Sequence, residues 1–183
     1  MAKHYEIRFS GSGGQGMMLL GDILAEAAGN HENKEIVLTK SYGPESRGGA
    51  CRSELVTDSA PINYPAVARP DFVLAMTQLA CDSYHKDMDE DGILLVDSGL
   101  VTSVPKTIRT VLAIPLTGIA VEAAGKTITA NVAALGAIAV LAGIAEPESI
   151  REAILDRFPE NLHAINIKAF EAGMAAAKSR ATM

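Results

Sequence analysis

The sequence predicts an α/β protein, a three-layer α/β/α fold on a mostly parallel sheet with a strand-and-loop insertion near residues 41–70. Three observations carry that expectation. Apolar runs of strand length, such as Ile93-Leu94-Leu95-Val96, alternate with segments of helical spacing. A glycine-rich turn, Gly11-Ser12-Gly13-Gly14-Gln15-Gly16, joins the first strand to the first helix. The last third of the chain is helical and rich in alanine.

In chain order, residues 5–10 read as a strand with Ile7 and Phe9 on one face. Residues 15–29 read as a helix, because Met17, Leu20, Leu24 and Ala28 recur at three- and four-residue steps and Gly29-Asn30 supplies a stop. Residues 35–40 form a second strand around Ile36-Val37-Leu38, which completes a β–α–β unit of the kind that builds parallel sheets. Residues 41–49 are a loop and 50–58 a strand. Residues 59–70 hold three prolines and are expected to be irregular. Residues 71–76, 92–97 and 108–114 read as further strands, with a short helix over 78–86. Residues 129–144 are apolar nearly all round, so that helix must be covered on several sides. The helices over 148–158 and 162–178 are amphipathic, with Ile150, Ile154 and Phe158 on one stripe and Leu162, Ile165, Ala169 and Phe170 on the other. The whole, residues 1–183, is expected to be one Rossmann-like domain.

Composition narrows the function. The chain is 48% hydrophobic but only 4% aromatic, with no Trp, so its core is aliphatic. A net charge of −6 repels phosphate backbones, which argues against a nucleic-acid partner. The two cysteines, Cys51 and Cys81, form no Cys-x-x-Cys, and an iron–sulfur cluster normally takes four thiolates. Such sparse cysteines suit a reducing compartment. The first six residues carry no signal-peptide pattern. The most apolar run, 128–144, is Ala- and Gly-rich and at the short end of what a membrane span needs. A cytoplasmic protein without membrane contact is expected.

The first glycine loop sits where a tight turn and a close backbone approach favour glycine, at a helix amino end whose free N–H groups suit an anion. A dinucleotide site would also need a carboxylate at the end of the second strand. That strand ends Leu38-Thr39-Lys40-Ser41, without one. No Gly-Lys-Ser/Thr follows, so a phosphate-binding P-loop is excluded. The plainer alternative is that these glycines only pack a helix tightly on a strand. The second loop, Ser41-Tyr42-Gly43-Pro44-Glu45-Ser46-Arg47-Gly48-Gly49, should leave the same carboxyl edge of the sheet and face the same crevice. Arg47 there could bind a carboxylate or phosphate bidentately, or merely pair with Glu45 on a solvated turn. His4, His31, His85 and His163 lack metal-ligand spacing and read as structural or surface residues. Asp97-Ser98-Gly99 could line the crevice or be a strand-end turn, and Cys51 reads as a small buried hydrophobe.

Taken together, the two loops resemble those of the gamma subunit of 2-oxoacid:ferredoxin oxidoreductases. Further similarities are Ile62-Asn63-Tyr64-Pro65, Arg69-Pro70-Asp71, Thr77-Gln78, and Asn131 with Leu135-Gly136; they span about residues 5 to 175. Ser46 stands where Ala is common, and Cys51 is a second small departure. The resemblance implies a subunit that is not active alone. Its complex would decarboxylate a 2-oxoacid on thiamine diphosphate and Mg²⁺, form an acyl-CoA, and pass electrons through iron–sulfur clusters to ferredoxin. Alpha, beta and delta subunits would carry those groups, and this chain alone would bind none. Arg47-Gly48-Gly49-Ala50 with Ile62-Asn63-Tyr64-Pro65 looks most like the 2-oxoglutarate branch, with pyruvate and branched-chain enzymes as alternatives. A free-standing nucleotide-binding module is the alternative from another class. On the leading reading no residue is catalytic or metal-binding. Gly11, Gly13, Gly14, Gln15, Gly16, Tyr42, Gly43, Glu45, Arg47 and Gly48 would shape a crevice or subunit interface. An aliphatic partner face would also let the isolated chain self-associate.

Overall fold

A computed structural model describes residues 4–41 and 50–181. Six strands form one sheet: β1 (His4–Ser12), β2 (Glu35–Ser41), β3 (Ala50–Asp58), β4 (Phe72–Ala75), β5 (Ile93–Asp97) and β6 (Thr110–Ile114). Their order is β2-β3-β1-β4-β5-β6. The β1/β4, β4/β5 and β5/β6 pairings are parallel, whereas β3 is antiparallel to both β1 and β2. Strands β1 and β2 therefore run in the same direction, as a β–α–β unit requires, but they are not neighbours. The reason is chain length. Eight residues separate Ser41 from Ala50, too few for the crossover that a parallel neighbour needs. Strand β3 must turn back beside β2, and its nine residues pair along the whole of β1. The insertion expected near 41–70 thus supplies an interior strand of the sheet. The irregular stretch 59–71 then connects β3 to β4 at the opposite, amino edge.

Among the described residues six helices complete the fold: α1 (Met17–Glu26), α2 (Gln78–Tyr84), α3 (Leu116–Ala124), α4 (Ala130–Leu141), α5 (Pro147–Arg157) and α6 (Glu160–Ala181). Helix α1 continues into one wider, π-type turn over Ala27–His31. A single 3₁₀ turn, Thr127–Thr129, precedes α4. Helix α3 lies in a stretch for which the sequence suggested only general helicity. Its stop, Gly125 at φ 71°, is the signal that could have bounded it.

The layers are unequal. Ile7, Phe9, Phe72, Leu74 and Leu95 point to one face, where α1, α3, α4, α5 and α6 bury their apolar stripes. Val73, Ala75, Leu94 and Val96 point to the other, covered by α2 and by Met88, Val101 and Ile108. Helix α4 is buried continuously from Ala130 to Ala139, with α1, α3, α5 and α6 around it. Its alanines and Gly136 let those neighbours approach closely. Among the described residues no helix is long and apolar enough to cross a membrane.

Candidate functional site at the carboxyl edge of the sheet

The glycine turn lies where β1 ends and α1 begins. Gly14 (φ 93°) and Gly16 (φ 75°) are both in the left-handed region, and Gly16 caps α1 with no side-chain hydrogen bond to the helix end. Gln15 closes the turn on itself. Its N–H donates to the Ser12 carbonyl (3.1 Å), and its Oε1 accepts from the Ser12 N–H (2.7 Å). A Cβ on Gly11 would lie 2.7 Å from that Oε1, and one on Gly16 would overlap the Asn131 carboxamide. The Asn131 Nδ2 donates to the Gly16 carbonyl (3.4 Å), which ties α4 to the turn. Gly11, Gly14 and Gly16 therefore have reasons within the chain. Gly13 has none: it is exposed, its φ is not left-handed, and a Cβ there would meet nothing within 4 Å. Gly16→Ala combines a strained φ with a clash, so it should lower the unfolding free energy by about 2 kcal/mol. Urea denaturation followed by circular dichroism would measure this, with the midpoint falling at an unchanged m-value.

Two more side chains set the rest of the edge. Gln78, at the start of α2, accepts from the N–H groups of Thr102 (2.9 Å) and Ser103 (3.0 Å) and donates to the Ser103 carbonyl (2.9 Å). Asp97 is fully buried at the end of β5. Its Oδ1 accepts from the Gly99 N–H (3.0 Å), and its Oδ2 from the N–H (3.0 Å) and hydroxyl (2.5 Å) of Thr117. Asp97-Ser98-Gly99 is thus a strand-end turn whose carboxylate is spent on holding α3 in place. Between these turns lie two cavities that share Gly14 and Ile128. One, of about 370 Å³, has walls of Leu19, Phe158, Leu162 and Ile165. The other, of about 240 Å³, is bordered by Gln15, Leu100 and Thr117.

The second loop motif, with Tyr42, Gly43, Glu45, Arg47 and Gly48, lies outside the described residues. Its two flanks are where the sequence puts them. Ser12 pairs with Ala50 and Ser41 with Arg52, so the Ala50 end adjoins the glycine turn and the Ser41 end lies at the same edge, one strand further away. The strand beside β1 on this side is β3, which presents its amino end here. A dinucleotide site needs a parallel neighbour ending in a carboxylate at that place, and the topology does not provide it.

Beneath this edge, on the other face of the sheet, sits a charged cluster that hydrophobic patterning did not reveal. Arg8 is 2% exposed. Its Nε donates to Glu54 Oε1 (2.6 Å), and its two terminal nitrogens grip Asp87 at 2.5 and 2.9 Å. It also donates to the Tyr84 carbonyl (3.1 Å), and the Tyr84 ring stacks under Arg52 at 5.3 Å. Partial burial alone would raise the Asp87 carboxyl, but the Arg8 hydrogen bonds and charge outweigh it and hold it below the ordinary range. The only hint in the sequence is the polar alternation Glu6-Arg8-Ser10 along β1, opposite Ile7 and Phe9.

The histidines take local partners. His4 bonds Glu6 and Asp58, His31 faces Glu152, and His85 and His163 bond the Cys81 and Phe158 carbonyls. No group of three potential ligands able to hold a metal occurs among the described residues. Cys51 and Cys81 are buried on opposite faces of the sheet, and burial pushes both thiols up. Two thiols buried on opposite faces of the sheet cannot share the ligation of one iron–sulfur cluster.

Fold and edge together define a Rossmann-like α/β domain on a mixed sheet, with a preset glycine-turn surface at the carboxyl ends of its strands. The chain belongs to the pyruvate ferredoxin/flavodoxin oxidoreductase family, which it matches over residues 6–176. It is 45% identical to the 2-oxoglutarate synthase subunit KorC of Methanocaldococcus jannaschii over 94% of either chain. The crystal structure of the keto/oxoacid ferredoxin oxidoreductase gamma subunit from Geobacter sulfurreducens is similar at TM-score 0.90 and 43% identity, covering 97% of this chain and 98% of that one. A third similarity is to the 2-oxoglutarate:ferredoxin oxidoreductase of Magnetococcus marinus, a structure with 2-oxoglutarate, coenzyme A and succinyl-CoA bound. There the TM-score is 0.86 at 26% identity, over 98% of this chain and 32% of that longer one. The chain is a subunit of a multi-subunit 2-oxoacid:ferredoxin oxidoreductase.

Proposed function

We propose that this chain is the gamma-type subunit of a cytoplasmic enzyme that oxidatively decarboxylates 2-oxoglutarate to succinyl-CoA and reduces ferredoxin. The observation that carries the choice of substrate is the similarity to KorC along almost the whole of both chains. Thiamine diphosphate, Mg²⁺ and the iron–sulfur clusters belong to partner subunits of alpha, beta and delta type, in keeping with the buried, separated thiols here. This chain's contribution is a wall of the site. Gly13, the one glycine of the turn with no reason inside the chain, leaves room for a group from outside to approach the backbone. Glu45 and Arg47, in the segment that leads into β3 beside that turn, would meet a partner subunit or the anionic end of CoA or substrate.

The experiment is a comparison of oxoacids with the purified complex. Viologen reduction dependent on both CoA and 2-oxoglutarate should exceed that with pyruvate or 2-oxoisovalerate by at least about tenfold; equal or greater turnover of pyruvate would overturn the assignment. In the same complex Arg47→Ala should lower kcat/KM for CoA or 2-oxoglutarate by about tenfold or more, as expected for loss of a charge-assisted contact. The isolated variant should keep its thermal midpoint. Full activity would show that the loop plays no part in the site.

A further inference from the structure

The carboxyl edge carries most of the large exposed hydrophobic residues among the described ones. Four of the six large exposed hydrophobic residues, Leu79, Leu100, Val104 and Ile128, stand on it. Ile128 is the extreme case at 74% exposure. It lies in the 3₁₀ turn that leads into α4, between the two cavities, with Gly14 bordering both. A protruding aliphatic residue flanked by two recesses is costly to leave in water and complementary to a protein surface. The charge pattern is equally uneven. Charged residues make up 21% of the chain, yet among the described residues Lys126 is the only one lining either cavity. Depletion of charge around an apolar centre marks the core of a protein interface. The surroundings are rigid, since Gln15, Gln78, Asp97 and Asn131 fix the adjoining turns by side-chain hydrogen bonds.

We propose that Ile128 and its two flanking cavities form the seat of another subunit of the same oxidoreductase, which supplies an aliphatic anchor for the larger cavity and a carboxylate for Lys126. The inference rests on the reading of this chain as one subunit of such a complex, and it adds where the partner sits. A second copy of this chain suits the surface less well. A two-fold contact would set the patch against itself, and among the described residues neither cavity is lined by a carboxylate that could face Lys126. The contact is continuous with the glycine turn, so the same partner would be brought alongside Gly13.

The test is co-purification from the assembled enzyme, with the chain produced together with its partner subunits and a tag on one of those. Ile128→Glu places a charge at the centre of the seat, and Lys126→Glu reverses the charge beside it. Tyr64→Glu, at a residue 68% exposed at the opposite edge, is the control. Ile128→Glu should weaken association at least about tenfold, Lys126→Glu should weaken it less, and Tyr64→Glu should leave it unchanged. All three isolated chains should keep the wild-type thermal midpoint. Wild-type association of Ile128→Glu, or equal losses in Ile128→Glu and Tyr64→Glu, would overturn the proposal. So would an isolated wild-type dimer that Ile128→Glu dissolves while the complex stays intact, because the seat would then belong to a second copy. A wild-type complex that assembles but does not oxidise 2-oxoglutarate refutes the proposed substrate and leaves the seat standing. A wild-type chain that captures no oxidoreductase subunit refutes both.

Discussion

Gly173→Ala is expected to lower the unfolding free energy by about 3 kcal/mol and the thermal midpoint by about 6–12 °C. Helices α4 and α6 cross with backbone against backbone. A Cβ on Gly173 would overlap the Ala133 carbonyl oxygen and lie 2.7 Å from its carbon. A Cβ on Gly136, from the other side of the crossing, would overlap the Phe170 carbonyl and lie 3.0 Å from the Met174 nitrogen. No rotamer change relieves contact with a backbone atom, so the crossing itself must open. Every residue that α4 buries is then displaced. The sign of the effect makes the prediction sharp. In an ordinary helix interior, replacing glycine by alanine stabilises by roughly 1 kcal/mol. Gly118 in α3 is such a position, because a Cβ there would make only an ordinary contact with Pro115 at 3.8 Å. Calorimetry should therefore find Gly118→Ala at or above the wild-type midpoint and Gly173→Ala well below it. Equal midpoints for the two would mean that α4 and α6 are not so close.

The second large effect is expected at Arg8. Arg8→Met keeps the length of the side chain and removes the charge, which leaves Glu54, a carboxylate only 10% exposed, without its closest cation and with only the longer 3.7 Å contact to Arg52. Removing one partner of a buried ion pair costs about 3 kcal/mol or more, chiefly through the charge left behind. Arg8→Met with Glu54→Leu should recover much of that loss, since both partners then leave together. Equilibrium denaturation of the single and double variants measures the difference. Acid should act on the same cluster. The Asp87 carboxyl is held below its ordinary value in the folded chain. Its contribution is therefore complete above the unfolded value of about 4 and is lost as pH falls through the lower folded value. The wild-type protein should lose stability over that acidic window, and Arg8→Met should lose less.

Much of the fold was legible in the sequence because it depends on local periodicity. The strand at 50–58 matches β3 end for end, and the uniform apolarity of 129–144 announced the enclosed helix α4. The neighbour of β1 was not legible. That depends on whether the chain crosses over or turns back after Ser41, and both choices present the same alternating strands. Helix α3 was blurred because its short apolar stretch, Leu116–Ala124, has no polar cap at its start: Pro115 stands there instead. Of the candidate site, the glycine turn between β1 and α1 followed from a strand-then-glycine pattern, whereas the second loop lies outside the described residues. The roles of the individual glycines did not follow from that pattern. Gly11, Gly14 and Gly16 satisfy φ and packing, whereas Gly13 satisfies neither, and one-letter spacing cannot separate them.

By itself the sequence determined an aliphatic α/β chain with a glycine turn at the carboxyl edge, too few cysteines for a cluster, and a resemblance to one subunit of an oxidoreductase. These rest on composition, on local repeat and on motif spacing, all of which are properties of neighbouring residues. Only the tertiary structure decided that β3 separates β1 from β2, that Arg8 is buried with Glu54 and Asp87, and that Ile128 stands exposed between two cavities beside Gly14. Each of those brings together residues far apart in the chain. Such contacts are set by which surfaces the packed elements cover and which they leave open.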